Sequence, residues 1–392
     1  MIKKLNTINY TITAFFLIIF FNVYASEKVK NKKILFVVHT FPRLTETFIL
    51  SQMKAFINAG YELSILSRTK DELALMHQDI VDYNLLMNTT YIDYYDKKNA
   101  AIVGIKMCEY DIVYCQYDRI GCVFADLKEK NDFNGKLVVC VRGWPRKGNR
   151  MEDNPIEYAR LFQQVDLILP VCHFFRNEFI KYGCPPEKII VHHSAIDCDA
   201  IAYKKRDDSK KKVIDILTTA RLINSKGLDK GINAIAHLIH KYSNIRYTII
   251  GGGKLYESLK SLIGQYDMRE KILLLGWQPH DIVKKALYNA DMYVHPSMAC
   301  EGIPNAIMEA MASGLPVVST DVNGTPELVR NNQTGIVVES GSIDKLAEGI
   351  ERLIRDKKLR NLMGLKGRHY VEQEHNIVLE NEKLLKLFEE LM

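Results

Sequence analysis

The 392-residue chain has no long basic tract, no internal repeat and no low-complexity segment. It therefore carries no nucleic-acid signature and no sign of a repeat architecture. It also lacks any Cys-x-x-Cys pair. Its eight cysteines are scattered, and the seven-residue recurrence of Cys108, Cys115 and Cys122 is neither a zinc nor a disulfide spacing. Reduced, partly buried thiols are the expectation. The apolar run near the start, ITAFFLIIFFNVYA (Ile12–Ala25), is 14 residues long, short of the ~20 that a spanning helix needs. What is present is ordinary for a globular protein: 47% hydrophobic residues, 26% charged residues and a net charge of +6. The length suggests two domains, and the mild basicity suits an anionic ligand or an acidic membrane surface.

The apolar run has Lys3 and Lys4 before it, and Val23-Tyr24-Ala25 at its end has the small residues of a signal-peptidase site. Lys28, Lys30, Lys32 and Lys33 follow at once, and such a flank resists translocation. Residues 1–32 are thus expected to attach the protein to a membrane with its body in the cytoplasm. The alternative is export after cleavage near Ala25.

From Lys33 onward, short Val- and Ile-rich runs alternate with helix-like stretches. Strand candidates are ILFVVH (34–39), YELSILS (61–67), DIVYCQY (111–117), KLVVCVRG (136–143), DLILPVC (166–172) and KIIVHHSAID (188–197). The run KKRDDSKKK (204–212) has nothing to bury and reads as a linker or solvated loop. A second series follows it: VIDILTTAR (213–221), RYTIIGGG (246–253), ILLLG (272–276), MYVHPS (292–297), LPVVSTD (315–321) and GIVVES (335–340). Such alternation on both sides of a polar linker predicts two doubly wound α/β domains, residues 33–203 and 213–376. Residues 377–392 are read as a helix that crosses back onto the first domain.

Ligands of such sheets bind outside the carboxyl ends of the strands, so the loops there hold the candidate site. In CEGIPNAIMEAMASGLPVV (300–318), Glu301 falls in the loop after a strand and Glu309 about five residues into the next helix. Pro304 suits the first helical position, and Gly302 keeps bulk off the turn. The two acids could be incidental ends of an amphipathic helix, or could grip the hydroxyls of a sugar and a ribose. Arg221 and Lys226 lie on another strand-to-helix loop, where two cations can neutralise a diphosphate. Gly251, Gly252 and Gly253 form a third such turn, where backbone can approach a ligand closely or simply turn tightly.

These stretches resemble the retaining glycosyltransferases of family four, which have the GT-B fold. The resemblance runs from Lys33 onward and is strongest over Thr218–Glu339. It is carried by PSMACEGIPNAIMEAMASGLPVVSTDVNGTPELV (296–329), ARLINSKGL and IIGGGKLYESL. HTFPRLTETFILSQM (39–53) looks like the subgroup that builds bacterial exopolysaccharide or lipopolysaccharide. The resemblance implies two Rossmann-like domains facing a central cleft. Arg221 and Lys226 would hold the diphosphate, Glu301 would contact the donor sugar and Glu309 the ribose. Gly252, Gly253, Trp277 and Gln278 would lie near the nucleotide, and Gly302, Ile303, Pro304 and Asn305 would complete the donor site. Pro42, Arg43 and Thr45 would form the facing loop, although Thr45 also suits a plain helix N-cap.

One position departs from the family. A His-Gly step often ends a strand of the N-terminal domain, whereas this chain has Arg142-Gly143. Arginine cannot serve as a base near neutral pH but can donate to a sugar or phosphate. His39, His192 and His193 end other strands and are read as structural.

The expected reaction moves a hexose from a nucleoside-diphosphate sugar to the hydroxyl of a glycan or lipid-linked saccharide, with retention. No metal and no cofactor are expected, because the two cations take the role of magnesium. Intact Arg221, Lys226, Glu301 and Glu309 argue against a sugar-nucleotide epimerase. The alternatives are such an epimerase and a non-catalytic nucleotide-sugar- or glycan-binding protein with the same fold, for which Arg142 is the best support.

Overall fold

The computed structural model describes residues 31–43, 46–71, 78–143, 151–206 and 212–392. The expected anchor or signal, and Thr45, lie outside the described residues.

The first half runs β1 (Lys33–Thr40), α1 (Thr47–Asn58), β2 (Glu62–Thr69), α2 (Gln78–Asp82), β3 (Thr89–Tyr91) and α3 (Ala100–Met107). It continues β4 (Ile112–Cys115), α4 (Asp118–Lys130), β5 (Lys136–Val141), α5 (Pro155–Gln164), β6 (Leu167–Pro170) and α6 (His173–Lys181). The second half runs β7 (Ile214–Thr219), α7 (Leu228–Lys241), β8 (Ile245–Ile250), α8 (Tyr256–Gln265), β9 (Ile272–Leu274) and α9 (His280–Asn289). Then come β10 (Met292–His295), α10 (Asn305–Ala312), β11 (Val317–Thr320), α11 (Thr325–Leu328) and β12 (Gly335–Val338). Three helices close the chain: α12 (Ile343–Arg355), α13 (Lys357–Glu374) and α14 (Ile377–Leu391).

Each half folds into a six-stranded parallel sheet, ordered β3-β2-β1-β4-β5-β6 and β12-β11-β10-β7-β8-β9. The strands read as unbroken apolar runs because helices cover both faces; Ile34 to Val38 of β1 are all buried. The expected pair of doubly wound domains is what forms. In both sheets the strand order reverses beside the first strand, between β1 and β4 and between β7 and β10. That reversal leaves a crevice at the carboxyl ends, because consecutive crossovers there go to opposite faces.

Two readings need correction. Residues 188–197 are not a strand. A 3-10 turn ends at Lys188, and the chain then touches β6 only through an isolated bridge, Ile168 to Ile189, with Ile190 and His192 donating to the carbonyls of Ile168 and Pro170. A regular ladder cannot continue, because Ile196 must pair instead with Asn376. In the polar run after residue 203, Arg206 is buried rather than solvated. Its guanidinium donates to the carbonyls of Lys204, Leu287, Ala290 and Ser313, so a charged residue docks this segment onto the second domain.

Contacts made by α11 and α14 help tie the domains together. The helix α14 packs on the first domain, inserting Phe388 between Phe56 and Tyr114 at ring distances of 4.7 and 5.1 Å. Glu327, at the start of α11, reaches the other way. Its two carboxylate oxygens accept from the backbone N–H groups of His173 and Phe174 at 2.8 and 2.7 Å. One domain thus caps a helix of the other. Charge-assisted caps of this kind contribute about 1–2 kcal/mol. Glu327→Ala should therefore loosen the domain pair, seen as a larger radius of gyration in solution scattering and a lower melting temperature. An unchanged radius and melting point would show that the cap does not hold the domains.

Candidate active site

The site grows from the strand ends at the second reversal. Chain leaving β7 supplies Arg221 and Lys226, and chain leaving β10 supplies His295, Ser297 and Glu301. The two loops interlock. Gly227 has φ +58°, and a Cβ there would lie 2.0 Å from the Pro296 carbonyl oxygen, so only glycine fits. The Met298 N–H donates to the Ser225 carbonyl at 2.7 Å, fastening the β10 loop to the β7 loop. Cys300 sits at φ +63°, a region that costs a non-glycine residue about 1 kcal/mol, and this bend turns Glu301 inward.

Glu301 is 4% exposed. Its Oε1 accepts from Lys226 Nζ at 2.5 Å and from His295 Nε2 at 3.0 Å. The Ser297 hydroxyl lies within reach of the same oxygen and of the Ser225 carbonyl. These bonds all fall on Oε1, and Oε2 makes none among the described residues. Burial by itself would raise the pKa of this carboxyl. The hydrogen bond from His295, with the charge of His295 and Lys226, outweighs burial and holds it at about 2. Glu301 is thus a fixed anion in a cluster of donors. Beneath it, the Tyr293 hydroxyl accepts from the Thr219 N–H at 3.1 Å and donates to the Thr219 carbonyl at 2.9 Å. This buried bond fixes the end of β7 from which Arg221 projects.

Arg221 itself is exposed and makes no side-chain hydrogen bond or ion pair among the described residues. It is a cation held ready at the crevice without a counter-charge. Glu309, on α10, lies 3.3 Å from His280 Nε2 at the start of α9.

The first domain presents its own strand ends across the cleft. The loop after β1 brings Arg43 to Glu46 at 3.2 Å, and Tyr117, after β4, donates to the same carboxylate at 2.8 Å. Arg142 follows β5. A Cβ on Gly302 would come within 2.8 Å of the Arg142 carbonyl oxygen, so the Glu301 loop and the Arg142 turn meet at a position that glycine alone allows.

The chain matches two family patterns, "Glycosyltransferase Family 4" over residues 45–200 and "Glycosyl transferases group 1" over residues 199–370. It is 31% identical to the amylovoran biosynthesis glycosyltransferase AmsK of Erwinia amylovora, over 92% of this chain and 100% of that protein. The chain belongs to this glycosyltransferase family.

Solved structures share the fold at lower identity. Alr3699/HepE of Anabaena in complex with UDP-glucose superposes with a TM-score of 0.76 at 18% identity, over 91% of this chain and 99% of that one. WaaG, a glycosyltransferase involved in lipopolysaccharide biosynthesis, gives 0.68 at 15% identity, over 90% and 99%.

Within this glycosyltransferase the structure distributes the sequence candidates unevenly. Lys226 and Glu301 are brought into direct contact, with Arg221 on the same loop as Lys226. Gly252 lies against Trp277, where a Cβ would meet the Trp277 Cβ at 3.3 Å. Trp277 is exposed, and Gln278 donates to the Leu275 carbonyl. Pro304 is the N-cap in extended backbone rather than the first helical residue, which is Asn305. Ile303 is buried in the core, so its side chain is not available to a donor. Pro42 is buried, and Arg43 is exposed at the cleft loop. The N-cap of α1 is Glu46, and its carboxylate serves Arg43 and Tyr117 instead of the helix amides.

Sequence reasoning missed His295, Ser297, His280, Gln52 and Gln116. The first two were findable, because MYVHPS already placed them at a strand's carboxyl end. It also passed over the tripeptide Asp197-Cys198-Asp199. There Asp197 Oδ1 accepts from the N–H groups of Asp199 and Ala200, both at 3.0 Å, so this acid closes a local turn.

Proposed function

We propose that the chain is a retaining glycosyltransferase that moves a hexose from a nucleoside-diphosphate sugar to an acceptor hydroxyl on a glycan or lipid-linked saccharide. The observation that carries this reading is the Lys226–Glu301–His295 cluster at the strand reversal, beside an Arg221 that has no partner among the described residues. Arg221 and Lys226 stabilise the diphosphate as the bond from the anomeric carbon to its oxygen breaks, the largest electrostatic contribution in such a step. The acceptor oxygen bonds to the same face of that carbon, and its proton passes to the departing diphosphate oxygen. Glu301, with Oε1 spent on three donors and its pKa near 2, is a weak nucleophile. It supports the positive sugar through Oε2 rather than attacking it. Glu309 takes the ribose hydroxyls, and His280 orients its carboxylate. The two cations do the work of a metal ion, so activity persists in chelator.

The likeness to AmsK supports a role in exopolysaccharide synthesis. Among the described residues no helix is long and apolar enough to cross a membrane; attachment is assigned to the apolar run at residues 12–25, with the body on the cytoplasmic side.

Thermal stabilisation by UDP, GDP and ADP, in chelator, tests the reading. Ligand at ~100 times its dissociation constant adds ~2.7 kcal/mol to stability. One nucleotide should stabilise the protein, and Glu309→Ala should abolish at least half of that shift. No shift with any nucleotide at millimolar concentration, on folded protein, would remove the donor site from the proposal.

A further inference from the structure

We propose that Arg142 forms an anion subsite on the acceptor side of the cleft, and that one of the two sugars handled here carries a carboxylate. This inference rests on the glycosyltransferase reading above.

The surroundings of Arg142 are polar, but among the described residues no carboxylate touches it; Glu46 acts on it only through space. Its guanidinium carbon lies 4.2 Å from the centre of the Phe48 ring. Nε donates to Gln116 Oε1 at 3.2 Å, and Nη2 donates to the Oε1 atoms of Gln52 and Gln116, both at 3.0 Å. Every one of these acceptors is a neutral amide. No carboxylate among the described residues comes within ion-pair distance of Arg142, since Glu46 is engaged by Arg43 and Tyr117. Nη1 makes no hydrogen bond among the described residues. Gln116 is fully buried, and its Nε2 has no hydrogen-bond partner among the described residues.

A largely buried cation with no carboxylate in contact is costly, and amide dipoles, an aromatic face and the more distant Glu46 recover only part of that cost. Neutral side chains could fill this space with less penalty. The arrangement makes sense if the missing negative charge arrives with a ligand. The diphosphate is an unsuitable candidate, because Arg221 and Lys226 already await it on the other domain. A hydroxyl would leave the charge uncompensated. A pyranose carboxylate supplies a full charge and the planar oxygens that a guanidinium binds well. Arg142 stands opposite the Glu301 loop, where the donor sugar and the acceptor meet, so the carboxylate can belong to either.

The test uses the full chain and calorimetric titration. UDP, GDP and ADP first identify the base; if none binds, the glycosyltransferase reading fails and not this one alone. The donor arm compares two sugars on that base that differ only by a hydroxymethyl or a carboxylate on ring carbon 5. The acceptor arm compares methyl β-glucoside with methyl β-glucuronide in the presence of the free nucleoside diphosphate. In one arm the carboxylated member should bind at least about tenfold more tightly. Arg142→Gln should erase that preference and leave affinity for the bare nucleoside diphosphate unchanged; Arg142→Lys should retain part of it. Equal affinity within about twofold in both arms of the unmodified protein overturns the proposal. So does a preference that survives Arg142→Gln, or a matching loss of bare nucleoside-diphosphate affinity in that variant. The comparison on the unmodified protein stands even if the variants fail to fold.

Discussion

Arg221→Ala should lower turnover by about 10²- to 10³-fold while leaving the ligand-free protein as stable as before. The two halves of this result have separate causes. The side chain is exposed and has no partner among the described residues, so its removal breaks no native contact; surface changes of this kind stay within about 0.5 kcal/mol. In the reaction it faces the charge that develops on the departing diphosphate. Its effect is therefore confined to the transition state and the nucleotide complex. Release of nucleoside diphosphate from the donor, followed beside a melting curve without ligand, measures both. A variant with normal turnover would remove Arg221 from the site, and one with a melting point several degrees lower would show that it has a structural partner instead.

Glu301→Ala should behave in the opposite way, losing both activity and stability. The carboxylate neutralises Lys226 and accepts from His295 in a nearly closed space. Removing one member of a buried pair strands the others, at a cost of about 3–5 kcal/mol. The double change Glu301→Gln with Lys226→Met should be milder than the sum of its parts, since neither charge is then left alone. Acid unfolding gives an independent check. The carboxyl pKa is about 2 in the folded chain against an ordinary value of 4.5. A depressed carboxyl stabilises the fold fully above the unfolded value and loses that contribution as pH falls through the folded one. Glu301 thus contributes about 3 kcal/mol above pH ~4.5, which disappears towards pH ~2. The unmodified protein should show this loss and Glu301→Ala should lack it. Parallel stability curves for the two proteins between those pH values would contradict the assignment.

The architecture was legible because parallel strands buried on both faces need continuous apolar runs, and such runs stand out between amphipathic helices. Where that signal thins, reading failed. Strand β3 is three residues, Thr-Thr-Tyr, with no apolar run to reveal it. Residues 188–197 have the composition of a strand, yet they carry the chain away from β6 to the bridge between Ile196 and Asn376 and cannot hold a ladder. Arg206 looked solvated because a charge in a charged segment has no reason to be buried until the carbonyls around Ser313 and Leu287 gather about it.

The sequence by itself determined that Arg221, Lys226 and Glu301 end up at the carboxyl ends of parallel strands, because a doubly wound sheet places every strand-to-helix loop on that edge. It could not determine which loops touch. Lys226 and Glu301 are 75 residues apart, and β7 and β10 become neighbours only because the strand order reverses between them. The same is true of Glu327 on α6 and of Gly302 against Arg142, contacts that depend on how one domain is set against the other. Local sequence fixes where along its own strand a side chain falls; distances between side chains on separate loops depend on sheet order and domain packing, which tertiary structure alone decided.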